Sequence, residues 1–594
     1  MSGLDWAIVA AYCVFVLGLG VWAQRRDAGK DTAHYFVSGR NLPWWLAGAS
    51  MAASAFSVDT PLYVANLTRS YGVQGNWEWW FVGFAGILGA TVMARYWRRA
   101  GVMTDLELIT LRYAGRPAHV LRGFRAVFFG LLFNPLGMAG VIAGMVTVLG
   151  VVEPSLVDEQ NWPAGHGVWL IGGVIGVAVV YSVLSGFTGV VLTDLAQFVI
   201  SIVGAGVMAW FAVDQAGGLT ALVEHPAVFP KLDFLPDFSR WDDAVTRFAV
   251  FTGVFWWTFV NADGGGKFIQ RMASCRDERE SARATWFSTI TFVALRSWPW
   301  ILVGLAGLVL FPAIEKPEEV YPRTMMLLGD GLRGLVFASL IAAFMSTIDT
   351  QLNWGASYLV NDLIQPYVLP GRSDRFYVWA ARLCALPTLL MVLAFFWVTK
   401  VAESTGQAPG ALEVTKLLRS VLLVSSGLGA VYLLRWFWHG LTAWGEIGAM
   451  AAAPIAAAIC KAEGLSFAPS TVCVTAAAVG VAIGVSRALP AGPAARAQLV
   501  AFVARVRPAG LWGPIRAEAG VGGGLGLGAG LLAIRFLAGN LILWGATFAL
   551  GGLLLGRGWL LVVGNLASLA AGLALERWAR TRAPEGDAAS AAPA

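Results

Sequence analysis

Residues 48–61 read Gly-Ala-Ser-Met-Ala-Ala-Ser-Ala-Phe-Ser-Val-Asp-Thr-Pro and lie within an apolar segment long enough to cross a membrane. Small and hydroxylated side chains fill this stretch, Asp59 stands near its middle, and Pro61 removes a backbone donor from any continuous helix. A membrane-spanning helix is interrupted in this way where its freed backbone groups face protein or a water-filled cavity. The stretch therefore predicts a broken helix that lines a cavity at membrane depth.

A second apolar segment is interrupted in a similar manner. It reads Phe259-Val-Asn-Ala-Asp-Gly-Gly-Gly-Lys267, and the three consecutive glycines beside Asn261 and Asp263 disfavour a continuous helix. The two interrupted segments stand five spans apart, as expected when two inverted repeats of five helices each begin with a discontinuous helix. Close helix packing through small residues is the alternative explanation, but the acidic residues and Pro61 favour a cavity.

The composition of the chain indicates a membrane protein. Of 594 residues, 57% are hydrophobic and only 13% are charged, whereas soluble domains carry about 25% charged residues. The mean hydropathy is +0.66. Fifteen segments of about 20 largely apolar residues are predicted to cross a bilayer. These segments are 5–24, 43–66, 77–97, 124–151, 167–186, 188–213, 245–268, 286–312, 332–361, 377–399, 413–437, 440–460, 469–487, 530–555 and 558–577.

Charges between these segments predict the orientation of the chain. Residues 95–125 hold seven arginines and residues 487–516 hold five, whereas residues 214–243 hold six acidic residues and two basic ones. Because Lys and Arg accumulate in cytoplasmic loops, this pattern places the N-terminus outside and residues 487–516 inside. We expect a multi-pass protein of the cell (inner) membrane whose first segment is retained rather than cleaved.

Several other classes of protein are disfavoured. The five cysteines include no Cys-x-x-Cys pair and the five histidines share no spacing, so neither a disulfide framework nor a zinc or haem site is expected. No nucleotide-binding P-loop is present, and the apolar segments lack the His-Glu-x-x-His and Gly-x-Ser-x-Gly signatures. We therefore expect neither an ATP-driven pump nor an enzyme, no cofactor, and no nucleic-acid partner.

The ninth segment carries hydroxyl groups on one helical face. The residues spaced at i, i+3, i+4 and i+7 are Ala343, Ser346, Thr347 and Thr350. Na⁺ is a hard cation that prefers oxygen ligands, although such hydroxyls can also bond back to their own helix. Asp349 borders this face, and a carboxylate at the bilayer centre requires a cation, a proton or a basic partner. Asp194 is a second candidate acid, but its position nearer the cytoplasmic interface also fits an ordinary solvated residue.

With these features the chain resembles the sodium/solute symporter family, whose members take up sugars, proline, sialic acid, pantothenate or iodide. The resemblance covers roughly residues 5–460. Five motifs carry it, in the order of the family: Tyr35-Phe-Val-Ser-Gly-Arg-Asn-Leu-Pro-Trp-Trp45, Ala53-Ser-Ala-Phe-Ser57, Thr193-Asp-Leu-Ala-Gln197, Phe268-Ile-Gln-Arg271 and Ala343-Phe-Met-Ser-Thr347.

The resemblance implies an all-α integral membrane fold of the LeuT-like type. This fold is a five-plus-five inverted-repeat transporter core with one extra helix in front and several behind, giving about 13–15 transmembrane helices. The expected divisions are 1–42 (extra helix and cytoplasmic loop), 43–243 (first repeat), 244–438 (second repeat), 439–486 (additional helices), 487–529 (basic cytoplasmic loop) and 530–594 (C-terminal helices and tail).

The resemblance also implies Na⁺ as the coupling ion, bound between the broken first core helix and the eighth core helix. Carried across by motif, the ligands are the carbonyl oxygens of Ala53, Phe56 and Ala343 and the hydroxyls of Ser346 and Thr347. Some relatives add a second site, whose residues align with Asp194, Ser346, Asp349 and Thr350. Because those relatives have serine at the position of Asp349, either a second cation or a proton remains possible there.

The candidate solute-binding residues are Ser57, Asp59, Thr60, Glu78, Asn261, Asp263 and Arg296. In sugar-carrying relatives acids align with Asp59 and Glu78 and a lysine lies close to Arg296, whereas their aromatic inner gate aligns with Asn261. An ion pair from Arg296 to Asp59, Glu78 or Asp263 would leave a neutral cavity suited to a sugar or polyol. An unpaired Arg296 would instead bind the carboxylate of an amino or organic acid.

The sequence thus predicts a secondary active transporter that couples Na⁺ to a small polar organic solute by alternating access, with a sugar or polyol slightly favoured. One alternative is a proton-coupled symporter of the same fold that uses Asp349 and Asp194. Another is a membrane solute sensor that does not transport, although no signalling domain is evident in the sequence. The expected partners are the solute, Na⁺ and the lipid bilayer, and the oligomeric state is left open.

Overall fold

The computed structural model describes residues 1–27, 40–154, 166–405, 414–521 and 525–582. The first five residues of the motif at 35–45 therefore lie outside the described residues. Regular secondary structure within these ranges is helical. The α-helices are α1 Gly3–Asp27, α2 Trp44–Ser54, α3 Asp59–Tyr71, α4 Trp77–Trp80, α5 Val82–Leu88, α6 Ala94–Ala100, α7 Glu107–Arg112, α8 Gly115–Val127, α9 Asn134–Val152, α10 His166–Gln215, α11 Leu219–Glu224, α12 Asp243–Val250, α13 Trp256–Thr258, α14 Lys267–Ser274, α15 Glu278–Ile290, α16 Ser297–Leu310, α17 Val320–Met326, α18 Leu332–Leu359, α19 Asp374–Ser404, α20 Val414–Ser425, α21 Leu428–Phe437, α22 Ala443–Ala462, α23 Phe467–Ala488, α24 Pro493–Val506, α25 Gly513–Glu518, α26 Leu525–Leu554 and α27 Trp559–Thr581.

Eleven helical stretches in the described ranges are long and apolar enough to cross a membrane. The predicted segments 43–66 and 245–268 are not among them because each is broken into shorter helices. Segment 77–97 is likewise divided, into α4, α5, a π-helical turn and α6. A further predicted segment, 167–186, belongs to a longer helix.

That longer helix is α10, which runs without interruption from His166 to Gln215. The sequence predicts two segments here, 167–186 and 188–213, and the predicted boundary between them is wrong. The stretch contains no proline, and its glycines lower helix propensity without forcing a break. α10 packs against α1, α2, α16 and α18, so it reaches the helices that surround the broken segments.

Both predicted helix breaks are confirmed. α2 ends at Ser54 and α3 begins at Asp59, which places Pro61 in the first helical turn, where its missing N–H removes no helical hydrogen bond. α13 ends at Thr258 and α14 begins at Lys267. Gly264 and Gly266 in this second break have φ angles of +75° and +66°, a backbone conformation that glycine adopts without steric cost.

Helices at the C-terminal end pack against the core. α26 and α27 pack against each other, and α26 also contacts the π-helical turn Thr291–Leu295 that precedes α16. Arg535 interrupts the apolar run of α26, and its guanidinium lies 3.1 Å from the carboxylate of Glu576 on α27. The predicted cytoplasmic loop at 487–529 is partly helical because it contains α24 and α25.

Candidate functional site

The two helix breaks are joined by a direct hydrogen bond. The Lys267 ammonium at the start of α14 donates to the carbonyl oxygen of Ser54 at the end of α2, at 2.6 Å. The last carbonyl groups of a helix lack partners within that helix. The break after α2 therefore presents carbonyl oxygens as acceptors, and the Lys267 ammonium at the start of α14 binds one of them.

The predicted ion-binding residues lie where α18 meets the break after α2. Thr347 on α18 donates its hydroxyl to the carbonyl oxygen of Phe56 at 3.0 Å, and the carbonyl of Ala53 accepts the backbone N–H of Phe56 at 3.0 Å. Ala343 and Ser346 are buried on the same helix. The oxygen atoms available as ion ligands belong to neutral carbonyl and hydroxyl groups, which fit a hard monovalent cation.

Ser346 contacts Asp194, another residue of the predicted second site. Its hydroxyl donates to Asp194 on α10 at 2.6 Å, and Asp194 also accepts from the hydroxyl of Ser50 at 2.5 Å. Asp194 is completely buried, so the prediction of a solvated residue near the interface is wrong. The length of α10 carries this carboxylate into the packed core against α2 and α18.

A basic partner for Asp194 comes from α14. The Arg271 guanidinium lies 3.1 Å from the Asp194 carboxylate and also donates to the hydroxyl of Thr350 at 2.9 Å. Three of the four residues predicted for a second cation or proton site, Asp194, Ser346 and Thr350, are thus linked through hydrogen bonds. Arg271 neutralises this acid, and any second cation at Asp194 would have to compete with it. Asp349 is also fully buried on α18.

A cavity of about 320 Å³ lies between the two breaks. Four of the predicted solute-binding residues line it: Ser57, Asp59, Thr60 and Asn261. Ser57 donates its hydroxyl to the Asp59 carboxylate. Thr347 reaches the same cavity from α18, so the predicted ion site and the cavity share a wall.

Glu78 and Asp263 are not among the residues that line this cavity. Glu78 is held in a bidentate pair by Arg419 at 2.6 and 2.8 Å and accepts the hydroxyl of Tyr63 at 2.7 Å. The Asp263 carboxylate lies 2.7 Å from the Arg435 guanidinium. Both acids therefore stabilise contacts between helices, which corrects their predicted position in the solute site.

Arg296 also lies outside the lining of the cavity, and its contact with a solute carboxylate stays a prediction. It donates to the carbonyl of Ala52 at 2.7 Å, and its guanidinium carbon lies 4.1 Å from the centre of the Phe56 ring. Within the described part of the chain no acidic side chain forms an ion pair with it. Phe56 also stacks on Trp300, with ring centroids 5.3 Å apart. Arg296 and Trp300 thus hold the broken segment in place through Phe56.

Three basic residues of this region were not among the predicted site residues: Lys267, Arg271 and Arg419. Lys267 directly follows the three glycines, and Arg271 belongs to a quoted family motif, so both carried a signal in the sequence. Arg419 lies far along the chain, in a segment assigned only as membrane-spanning. Its pairing with Glu78 depends on the packing of α20 near α4, which the local sequence does not encode.

The fold and this geometry together define a membrane transporter built around two broken helices, with buried carbonyl and hydroxyl oxygens beside a cavity. The chain belongs to the sodium:solute symporter family, whose model matches residues 35–454. It is a multi-pass membrane protein, and the predictions of Na⁺-coupled symport, of Na⁺ as the coupling ion and of a transporter rather than an enzyme are confirmed by this membership.

Individual relatives agree with this assignment. The chain is 25% identical over 489 residues to a sodium/glucose cotransporter of Vibrio parahaemolyticus, covering 77% of this chain and 85% of the relative. It is 24% identical over 474 residues to sodium/glucose cotransporter 4 of Danio rerio, covering 74% and 68%. A solved Na⁺-coupled sialic acid symporter in a substrate-bound outward-open state superposes with a TM-score of 0.67 at 19% identity, covering 82% of this chain and 99% of that one. The predicted fold class is thereby confirmed.

Proposed function

We propose that this protein takes up a small polar organic solute with Na⁺ across the cell (inner) membrane, using the cavity between the two helix breaks. The observation that carries the proposal is the position of Thr347. Its side chain lines the cavity and donates to the Phe56 carbonyl in the break after α2. A cation bound at this point would contact the wall of the solute cavity, which is the geometry that coupled binding requires.

The proposed Na⁺ ligands are the carbonyls of Ala53, Phe56 and Ala343 and the hydroxyls of Ser346 and Thr347. Na⁺ at this position would tie the break after α2 to α18. Such a link would order one wall of the cavity before the solute binds, and the solute would in turn favour Na⁺ binding by the same free energy. The break after α2 belongs to the proposed first repeat at 43–243, and α18 belongs to the proposed second repeat at 244–438.

A second cation at Asp194 has less support than a single Na⁺, because Arg271 already pairs with that carboxylate. Asp349 keeps its proposed role as a second cation or proton site, with Ser346 and Thr350 on the same helix. Replacing Asp349 with Asn would lower the number of charges moved per solute if it binds a cation. If it binds a proton, the same change would remove the pH dependence of uptake instead.

Two classes of solute have support. The names of the relatives favour a sugar, and Ser57, Thr60 and Asn261 offer hydroxyl and amide partners for a sugar or polyol. The sequence-based preference for a neutral solute depended on an acid neutralising Arg296, and that support is lost. Lys267 in the cavity wall favours an amino or organic acid.

The test is uptake by the purified protein in liposomes. Labelled sugars, polyols, amino acids and organic acids would be offered with an inward Na⁺ gradient, with an inward proton gradient, and with neither. We expect at least one solute to accumulate with the Na⁺ gradient alone. Accumulation driven only by protons would favour the proton-coupled alternative, and saturable binding without accumulation would favour the sensor.

A further inference from the structure

Lys267 combines an unusual set of positions. It is the first residue of α14, it lines the solute cavity, and its ammonium donates to Ser54 at 2.6 Å. The side chain is partly accessible rather than sealed in the core. An ammonium has three donor hydrogens, so the bond to Ser54 leaves donors for a group that enters the cavity.

The charge of Lys267 is not neutralised by an ion pair. Asp59 and Lys267 are the two charged residues among the described residues that line the cavity, yet no ion pair joins them. Asp59 is instead hydrogen-bonded by Ser57. Asp194 does not line the cavity, and its carboxylate is paired with Arg271.

The position of Lys267 on its helix adds to this positive field. The N-terminus of a helix carries a partial positive charge, so acidic residues are favoured there and basic ones are not. α3 follows this rule, because Asp59 occupies its first turn. α14 does the opposite and places a cation at its N-terminus. A helix start of this kind at the wall of a cavity is suited to a negatively charged group.

Binding of Na⁺ makes the positive charge larger. All five proposed ligands of Na⁺ are neutral oxygens, so the ion brings its full charge to the break after α2. Among the residues that line the cavity, Lys267 contributes one positive charge and Asp59 one negative charge, and Na⁺ adds a further positive charge at the cavity wall. A solute carboxylate would balance the difference, whereas a neutral solute would not.

We propose that Lys267 binds a carboxylate of the transported solute, so that the substrate class is a small organic acid or amino acid rather than a neutral sugar. This inference rests on the proposed function. It transfers to Lys267 the role that the sequence suggested for Arg296. The ammonium exchanges Ser54 for the solute carboxylate when the solute enters, and the polar residues Ser57, Thr60 and Asn261 contact the remainder of the solute.

The first experiment uses the unaltered protein. Matched pairs that differ only at the acid group would be compared as competitors and as transported solutes: glucuronate against glucose, lactate against lactamide, and proline against prolinamide. With Na⁺ present, we expect at least one acid to raise the Tm of the purified protein and to accumulate in liposomes, with its neutral or amide partner at least about tenfold weaker.

The second experiment uses Lys267→Met, with Lys461→Met as a control that removes the same charge from an exposed position. Lys267→Met should weaken binding of the preferred acid about tenfold or more and abolish its advantage over the amide. Lys461→Met should retain both. Lys267→Arg should restore part of the preference because the charge is kept.

The outcomes separate the inference from the proposed function. Na⁺-driven uptake confined to neutral solutes, or an acid preference unchanged in Lys267→Met, would overturn the role of Lys267 and leave Na⁺-coupled symport standing. Failure of every solute to accumulate with Na⁺ would overturn both. If Lys267→Met does not fold, the acid-against-amide comparison in the unaltered protein decides the substrate class by itself.

Discussion

At the scale of single residues, the molecule distinguishes basic side chains that serve helix packing from one that faces the cavity. Arg271, Arg419 and Arg435 each pair with a carboxylate on another segment of the chain. Lys267 lines the cavity without such a pair. Because an uncompensated buried charge is costly, the paired arginines and the cavity lysine should respond differently to mutation.

The Asp194–Arg271 pair provides the first prediction. Arg271→Gln leaves a buried carboxylate without its partner and should lower stability by about 3–5 kcal/mol, whereas adding Asp194→Asn should recover part of the loss. The measurement is thermal unfolding in detergent of Arg271→Gln, of the double variant with Asp194→Asn, and of a control variant. Arg496→Gln is the control, because its pair with Glu518 is exposed and such pairs contribute about 0–1 kcal/mol. An equal loss of stability in Arg271→Gln and Arg496→Gln would contradict the assignment of Asp194 and Arg271 as a buried ion pair.

The second prediction concerns the hydroxyl oxygens of α18. Replacing both Ser346 and Thr347 with alanine removes two proposed Na⁺ ligands, so the Na⁺ concentration needed for half-maximal uptake should rise by tenfold or more, on the order of 1.4 kcal/mol. The control is Ser339→Ala, two turns earlier on α18. The Ser339 hydroxyl donates to the carbonyl of Val336 within the same helix. An unchanged Na⁺ dependence in the double variant would exclude these two ligands.

At the scale of helices, the breaks are held by close packing from neighbours. Gly429 on α21 lies so near the break after α13 that an added Cβ would clash with the backbone carbonyl of Phe259. The backbone of one of the two segments would therefore have to move. The unwound segment is therefore positioned by α21 as well as by its own glycines.

The third prediction tests this packing. Gly429→Ala should lower both thermal stability and uptake, because the clash displaces the segment that carries Asn261 and Lys267. Gly480→Ala on α23 is the control, since nothing lies within 4 Å of its added Cβ and alanine is favoured over glycine in helices by about 1 kcal/mol. If the two variants behave alike in uptake and in Tm, α21 does not constrain the break.

At the scale of the whole molecule, the proposed Na⁺ site joins the two repeats. Ala53 and Phe56 belong to the first repeat, and Ala343, Ser346 and Thr347 to the second. A ligand that binds only the folded state stabilises it by mass action, by about 2.7 kcal/mol at a concentration 100 times its Kd. Na⁺ should therefore stabilise the entire fold and not only the cavity wall.

The fourth prediction follows from this link. The Tm of the purified protein should rise with Na⁺ concentration and should not rise with K⁺ at matched ionic strength. The variant lacking the hydroxyls of Ser346 and Thr347 should lose most of the Na⁺ effect. Its Tm in K⁺ should also fall, because the Asp194 carboxylate and the Phe56 carbonyl each lose a hydrogen bond. An equal response to both ions would show a general salt effect and would argue against a specific site between the repeats.

The sequence by itself determined the features that depend on local chemistry. The apolar composition predicts a membrane protein, Pro61 and the glycines at 264–266 predict helix breaks, and the spacing of Ala343, Ser346, Thr347 and Thr350 predicts a shared helical face. These follow from hydrogen-bond geometry and helical periodicity, which act over a few residues. The LeuT-like fold class and Na⁺ coupling came instead from the family resemblance that the five motifs carry.

Only the tertiary structure decided which charges face the cavity. Asp263 lies within the second break, whereas Glu78 and Arg296 lie on other segments. The side chains of Arg296, Glu78 and Asp263 contact Phe56, Arg419 and Arg435 respectively and do not line the cavity. Conversely, α10 buries Asp194 against Arg271. The partners in these contacts lie between 77 and 341 residues apart. Electrostatic pairing depends on distance in space, and helical periodicity along one segment does not specify which distant helix supplies the partner.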